Sequence, residues 1–181
     1  MTALQRRLPR VALVAVIALA GLVLSHSLRE TTVRTSPYVA ALTAGIADQQ
    51  AGSYDAAIVE YQRAHRLRPR NPAPLFDLGD VAQFRGQSAL AARYYHACLA
   101  LRPNYINALY NLAILETSTH PTEAIALYTK ATHQAVTAAN RTLVAESFFN
   151  RGYLLTKRGQ RAQGAADIAR GIALDPALRQ R

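Results

Sequence analysis

Between residues 72 and 103 the apolar positions recur three and four apart rather than alternating. Leu75, Leu78, Gly79 and Ala82 form one set, and after a break at Gly86 come Leu90, Ala91, Tyr94, Tyr95, Cys98 and Leu101. Spacing near 3.6 residues gathers them on one side of a helix and leaves the polar residues on the other. The break is a glycine, and Pro103 stops the second run because it cannot continue a helix. The pattern predicts two amphipathic helices joined by a tight turn.

The same pattern returns along the chain. Residues 52–69 read GSYDAAIVEYQRAHRLRP and residues 86–103 read GQSALAARYYHACLALRP, 34 residues on. Gly52, Ala57, Tyr61, Leu67 and Pro69 thus return as Gly86, Ala91, Tyr95, Leu101 and Pro103. The period divides residues 38–178 into units of about 38–71, 72–105, 106–138 and 145–178. The third unit has a turn one residue short (STHPTEA), and about six extra residues around AANRTL precede the fourth. Small residues fall where the helices of a unit must approach: Gly45, Gly79, Ala113 and Gly152 on the first helix, Ala57, Ala91, Ala124 and Gly164 on the second. A lone hairpin cannot bury its apolar side, so the same packing residues must recur for neighbours to stack. The expected fold is all-α.

LGDVA…G…A…Y…C…P in the second unit and ALYNLA (residues 108–113) in the third resemble the tetratricopeptide repeat family, and the resemblance extends over about residues 38–178. It departs at Asp48, where the family has an apolar residue, at Arg151, usually Leu, and at Gly171, usually Ala. Only ALRQR follows Pro176, so the resemblance implies a last hairpin with no covering helix. Ala165, Ile168, Ala169 and Ile172 are then a face for docking or for homo-oligomerisation.

The resemblance further implies a right-handed superhelix of about four helix-turn-helix repeats, whose concave face is lined by the first helices and holds a peptide or a partner's helix. Projected onto this sequence, that groove has one column at Leu42, Phe76, Tyr110 and Phe149. Beside it run Thr43, Asp77, Asn111 and Asn150, and one turn further Ile46, Asp80, Ile114 and Tyr153. Rings supply buried area and amides pair with a peptide backbone. Packing between repeats is the competing reading for Phe76 and Phe149. Some family members clamp a carboxylate terminus here with Lys and Arg. This face offers Asp77 and Asp80 and a single basic residue, Lys157, near its end, so a basic or neutral polar ligand is expected.

Ahead of the repeats, Arg6, Arg7 and Arg10 precede VALVAVIALAGLVL, residues 11–24. A stretch apolar all round is no surface helix. Extended to Leu28 it comes to eighteen residues, marginal for a bilayer span. Two readings stay open: an uncleaved single-pass anchor formed by an N-terminal hydrophobic helix, or a signal sequence cleaved near Ser25-His26-Ser27. Residues 1–28 are assigned to this segment and 29–37 to a polar linker. The arginines before the run favour a cytoplasmic amino terminus, placing the repeats outside the cytoplasm, tethered to the inner membrane or, after cleavage, periplasmic or secreted.

Net charge is +10, of which +6 is spread over residues 38–181. Arg63, Arg66, Arg68, Arg70, Arg93 and Arg102 fall on second helices and their ends, expected mostly on the convex side, where they complement helix C-termini. With no nucleic-acid motif, no nucleic-acid partner is expected. A single cysteine, Cys98, excludes an internal disulfide. His96 and Cys98 are two apart on a helix and cannot hold one ion, and His120 is read as lacking an acid at helical spacing. No phosphate loop, nucleophile elbow or acid pair is present. The sequence therefore reads as a non-enzymatic adaptor or scaffold without metal or cofactor, binding a protein or peptide partner, in the manner of short envelope proteins of bacteria. A cleaved chaperone-like module and a self-assembling scaffold are the alternatives.

Overall fold

The computed structural model describes residues 36–180. The apolar segment and residues 29–35 of the linker lie outside them. Among the described residues there are eight α-helices: α1 (Pro37–Gln50), α2 (Tyr54–Leu67), α3 (Ala73–Phe84), α4 (Ser88–Leu101), α5 (Ile106–Glu116), α6 (Pro121–Thr132), α7 (Arg141–Lys157) and α8 (Arg161–Leu174). A short 3₁₀ turn, Pro176–Gln180, follows. Each helix packs on the next, so four hairpins (α1/α2, α3/α4, α5/α6, α7/α8) stack in chain order. None of these helices is long and apolar enough to cross a membrane.

Three of the four hairpin turns use one device. Gly52, Gly86 and Gly159 have φ of 74°, 71° and 83°, a backbone region open to glycine at little cost. Each lets the next residue's N–H reach back to close the helix: Ser53 to the Asp48 carbonyl, Gln87 to Ala82 and Gln160 to Leu155, at 2.8–2.9 Å. The short third turn has no such glycine. There the His120 N–H returns to the Glu116 carbonyl (2.8 Å), and Thr117 Oγ1 donates to the Ala113 carbonyl (2.8 Å).

Inside the hairpins the small residues have a definite partner. A Cβ at Gly45 would sit 2.7 Å from the Tyr61 ring, and one at Gly79 would sit 2.5 Å from the Tyr95 ring. The glycines make room for a wholly buried tyrosine of the second helix. In the last hairpin Ile168 occupies that tyrosine's place, and the helices close further. Added Cβ atoms at Gly152 and Gly164 would meet the other residue's carbonyl at 2.5 and 2.6 Å, and one at Gly171 would meet the Ala145 carbonyl at 2.7 Å. Gly171 is therefore required where Ala serves in a wider hairpin.

Arg151 is also accounted for. It is nearly buried and forks onto Asp167 of α8, Nε to Oδ2 at 2.7 Å and Nη2 to Oδ1 at 2.9 Å. Its Nη1 donates to Thr129 and Thr132 of α6 at 3.1 and 2.9 Å. Three helices are thus joined by one guanidinium, four of whose five N–H donors are met.

Two expectations change. The extra residues before the fourth unit are divided: Asn140 pins the loop through Thr137 N–H (2.7 Å) and the Ala135 carbonyl (2.9 Å), while residues 141–143 join α7, the longest helix described. The last hairpin is not bare either. The 3₁₀ turn lies against α8 with Leu178 only 2% exposed. Ala165 and Ala169 remain exposed, and Ile168 and Ile172 half-buried.

Candidate functional site

The first helix of every hairpin contributes to one face, and that face has three recesses. The first, about 370 Å³, is lined by Ile46, Gln49, Gln50, Tyr54, Tyr61, Asp77 and Phe84. Asp80, Gln83, Phe84 and Asn111 line the second, about 480 Å³. The third, about 260 Å³, lies among Ile114, Thr117, Tyr128, Asn150, Tyr153 and Leu154.

The floor is set by the buried tyrosines, whose rings belong to the core and whose hydroxyls do not. Tyr61 donates to Gln49 Oε1 at 2.7 Å. Tyr95 donates to Asp80 Oδ1 at 2.7 Å and lies 2.9 Å from Gln83 Oε1. Asn111 of the next hairpin donates to the same Asp80 oxygen at 2.9 Å and contacts the Tyr95 hydroxyl at 3.3 Å. Asn150 repeats the motif more loosely, 3.4 Å from the Tyr128 hydroxyl. Burial, above all, pushes the Tyr61 and Tyr95 phenols up, so they remain donors at any physiological pH.

Asp77 stands apart from this network. Among the described residues it has no hydrogen-bond or ion-pair partner, although it is half-buried. Burial, helped by the Asp80 charge one turn away, pushes its carboxyl up to about 7. Asp80 is raised too, chiefly by burial and against the lowering effect of Tyr95 and Asn111. Asp77 and Asp80 line two recesses that share Phe84, and no guanidinium or ammonium lines either, so the pair is short of a cation.

The sequence-based columns separate clearly by burial. Ile46, Ile114 and Tyr153 are exposed, as is Thr43; Asp77, Asp80, Asn111 and Asn150 are half-buried on the face. The column of rings differs. Phe76 is 9% exposed and packs on Tyr95 and Tyr105, with centroids 5.8 and 5.3 Å apart. It lies between repeats and not in the groove, because its position faces the following hairpin. Leu42, Tyr110 and Phe149 are half-buried, with Leu42 against the core and Tyr110 edge-on to Tyr128 at 6.1 Å. Lys157 lies over the Tyr153 ring at 4.6 Å, at the far end of the face.

Phe84 was not among the residues read from the sequence. It is 65% exposed, lines two recesses and stacks on Tyr54 at 6.3 Å. Continuing the Ile46 and Asp80 column by one more helical turn reaches Gln50 and Phe84, so the signal was available. Gln49, Gln83 and the tyrosine hydroxyls were hidden because their positions read as packing or as solvated surface.

Other expected chemistry is sparse. His120 does have an acid at helical spacing, contrary to the sequence reading: its Nδ1 is hydrogen-bonded to Glu116 Oε2, since the short turn folds the ring back over the end of α5. The pair is on the surface. Cys98 is wholly buried, and burial pushes its thiol up to about 12. Among the described residues no group of three or more His, Cys, Asp or Glu is placed to hold a metal ion. Arg68, Arg70 and Arg102 converge on a recess where α2 and α4 end, at one edge of the stack.

A family model for the TPR repeat matches residues 47–83, from the end of α1 through α3. No curated protein matches the sequence. Among solved structures, MamA (residue 41 to the end) from Desulfovibrio magneticus RS-1 superposes with a TM-score of 0.64 at 19% identity, covering 78% of this chain and 77% of that one. YrrB, described as a TPR protein with an unusual peptide-binding site, gives 0.60 at 21% identity over 77% and 69%. The Yersinia enterocolitica type III secretion chaperone SycD, solved with a peptide of the translocator YopD, gives 0.63 at 16% identity over 71% and 99%. Together these show a tetratricopeptide repeat fold.

Proposed function

We propose that this chain is a membrane-tethered adaptor, with its repeats outside the cytoplasm, that docks a partner segment in the groove of its first helices and serves assembly of a bacterial envelope complex. The segment presents a lysine or arginine to Asp77, with small or apolar residues over Ile46 and Phe84. The carrying observation is the half-buried Asp77 carboxyl beside Asp80, without a partner among the described residues. A cation placed there restores what burial removed, and the Asp80–Tyr95–Asn111 network is already fixed before the ligand arrives. The peptide complex of SycD supports this use of the fold, as does the description of YrrB as having a peptide-binding site.

Selection of random peptides on the full-length protein in detergent tests the reading. Recovered peptides should be enriched in Lys or Arg, and Asp77→Asn should weaken them at least about tenfold at pH 8. Peptides without basic enrichment, or indifferent to Asp77→Asn and Phe84→Ala alike, would overturn it.

A further inference from the structure

Successive helices alternate in direction, so the stack has two edges, and their cations are treated differently. At the edge holding the glycine turns Arg85 pairs with Asp55 at 2.6 Å, and Arg158 donates to Thr122 at 2.8 Å. The opposite edge holds the start of α1 and the ends of α2 and α4. There Arg68, Arg70 and Arg102 line an open recess of about 610 Å³ with Pro69, Asn71 and Pro72 and no acid. None of the three arginines has a carboxylate partner among the described residues. Two of them are held in place by rings: Arg68 lies 4.4 Å over Tyr38 and Arg102 lies 5.5 Å over Tyr105. Asn71 Oδ1 accepts the Ala73 N–H at 3.0 Å, fixing the turn that carries Arg70 and bringing the amino end of α3 to the recess.

We infer that this edge is a docking surface for anionic phospholipid headgroups, with Arg68, Arg70 and Arg102 taking the phosphates. The inference rests on the membrane-tether reading. Tyr38, which lies under Arg68, is the second residue of α1. Residues 29–36 join the apolar run to that helix, and a fully extended chain of this length reaches at most about 30 Å. A tether of that reach keeps the arginine edge within range of the headgroup layer, where each guanidinium can bond lipid phosphates. The recess brings three guanidiniums together with no acid in its lining, which suits phosphates.

The test uses the full-length chain carrying a fluorescent label at Asn104→Cys on the arginine edge or at Ser88→Cys on the other; the native Cys98 is wholly buried. Vesicles of phosphatidylcholine, with or without a third of phosphatidylglycerol, carry a quencher on their headgroups. The Asn104 label should be quenched more on the anionic vesicles, and the Ser88 label should not. Arg68→Gln, Arg70→Gln and Arg102→Gln together, or high salt, should reduce that excess about fivefold or more. Arg70→Glu alone should act in the same direction and covers the case of a misfolded triple variant. Flotation on neutral vesicles reads the tether separately. Protein that floats on both compositions with equal quenching at the two edges overturns the edge assignment while leaving the tether intact. If it does not float on neutral vesicles, the tether fails; flotation on anionic vesicles that depends on the arginines then still supports the edge, and its absence overturns it. Quenching indifferent to lipid charge, with an acidic protein retained by wild type and lost by the triple variant, reassigns the edge to a protein and overturns the lipid assignment.

Discussion

Gly79 and Tyr95 show how little freedom one position has here. The glycine has no role in a turn; it leaves the space that the Tyr95 ring fills, with 2.5 Å between that ring and an added Cβ. Because the ring is wholly buried and its hydroxyl is held by Asp80, it cannot swing away. Gly79→Ala should lower unfolding free energy by about 2 kcal/mol, as overpacking commonly does, read as a lower urea midpoint at unchanged slope. The sequence showed that a small residue belongs at this position. It could not show that the neighbour was a ring rather than the facing alanine, because periodicity records which side a residue faces and not which atoms it meets.

At the scale of helices, Arg151 connects α6, α7 and α8 through Asp167, Thr129 and Thr132. Removing only the cation leaves a carboxylate enclosed without a partner, which is costlier than removing both. Arg151→Leu should therefore destabilise by about 3 kcal/mol, and the double change with Asp167→Ala should recover most of that, as measured by a double-mutant cycle of chemical unfolding. From the sequence Arg151 could be read only as a departure from the pattern, since its partner sixteen residues away had no spacing signal. The hairpins were far more legible. Gly52, Gly86 and the two prolines punctuate a 34-residue period, and backbone sterics alone make such residues informative. The early start of α7 and the Leu178 cover were not legible, because both depend on contacts made only once the stack exists.

Across the whole molecule, the groove's charge depends on pH near neutrality. The Asp77 carboxyl, ordinarily at 3.8, is held up to about 7 by burial and then by Asp80. The folded protein therefore keeps a proton that the unfolded chain has lost. Stability from this group is full below about 4 and declines as pH rises toward 7, where the charge must be borne in the recess. Asp77→Asn should accordingly be more stable than wild type at pH 8, by about 1 kcal/mol after screening at the open mouth, and nearly equal to it at pH 4, as read from thermal melts at the two pH values. A cationic peptide should show the opposite trend, binding wild type more tightly as pH rises from 5 to 8. The acids of this site were legible because one helical turn separates Asp77 from Asp80. Its floor was not, because a tyrosine that packs by its ring and serves by its hydroxyl looks in sequence like core alone. That double placement makes the protein its own optical reporter. The chain has nine tyrosines and no tryptophan, so its ultraviolet emission is phenolic throughout. A phenol bonded to a carboxylate emits weakly, and Tyr95 is held in that state by Asp80. A ligand that competes for the Asp80 carboxylate should brighten the unlabelled protein, whereas one held by Asp77 alone should leave its emission unchanged, so the emission tells which carboxylate is engaged.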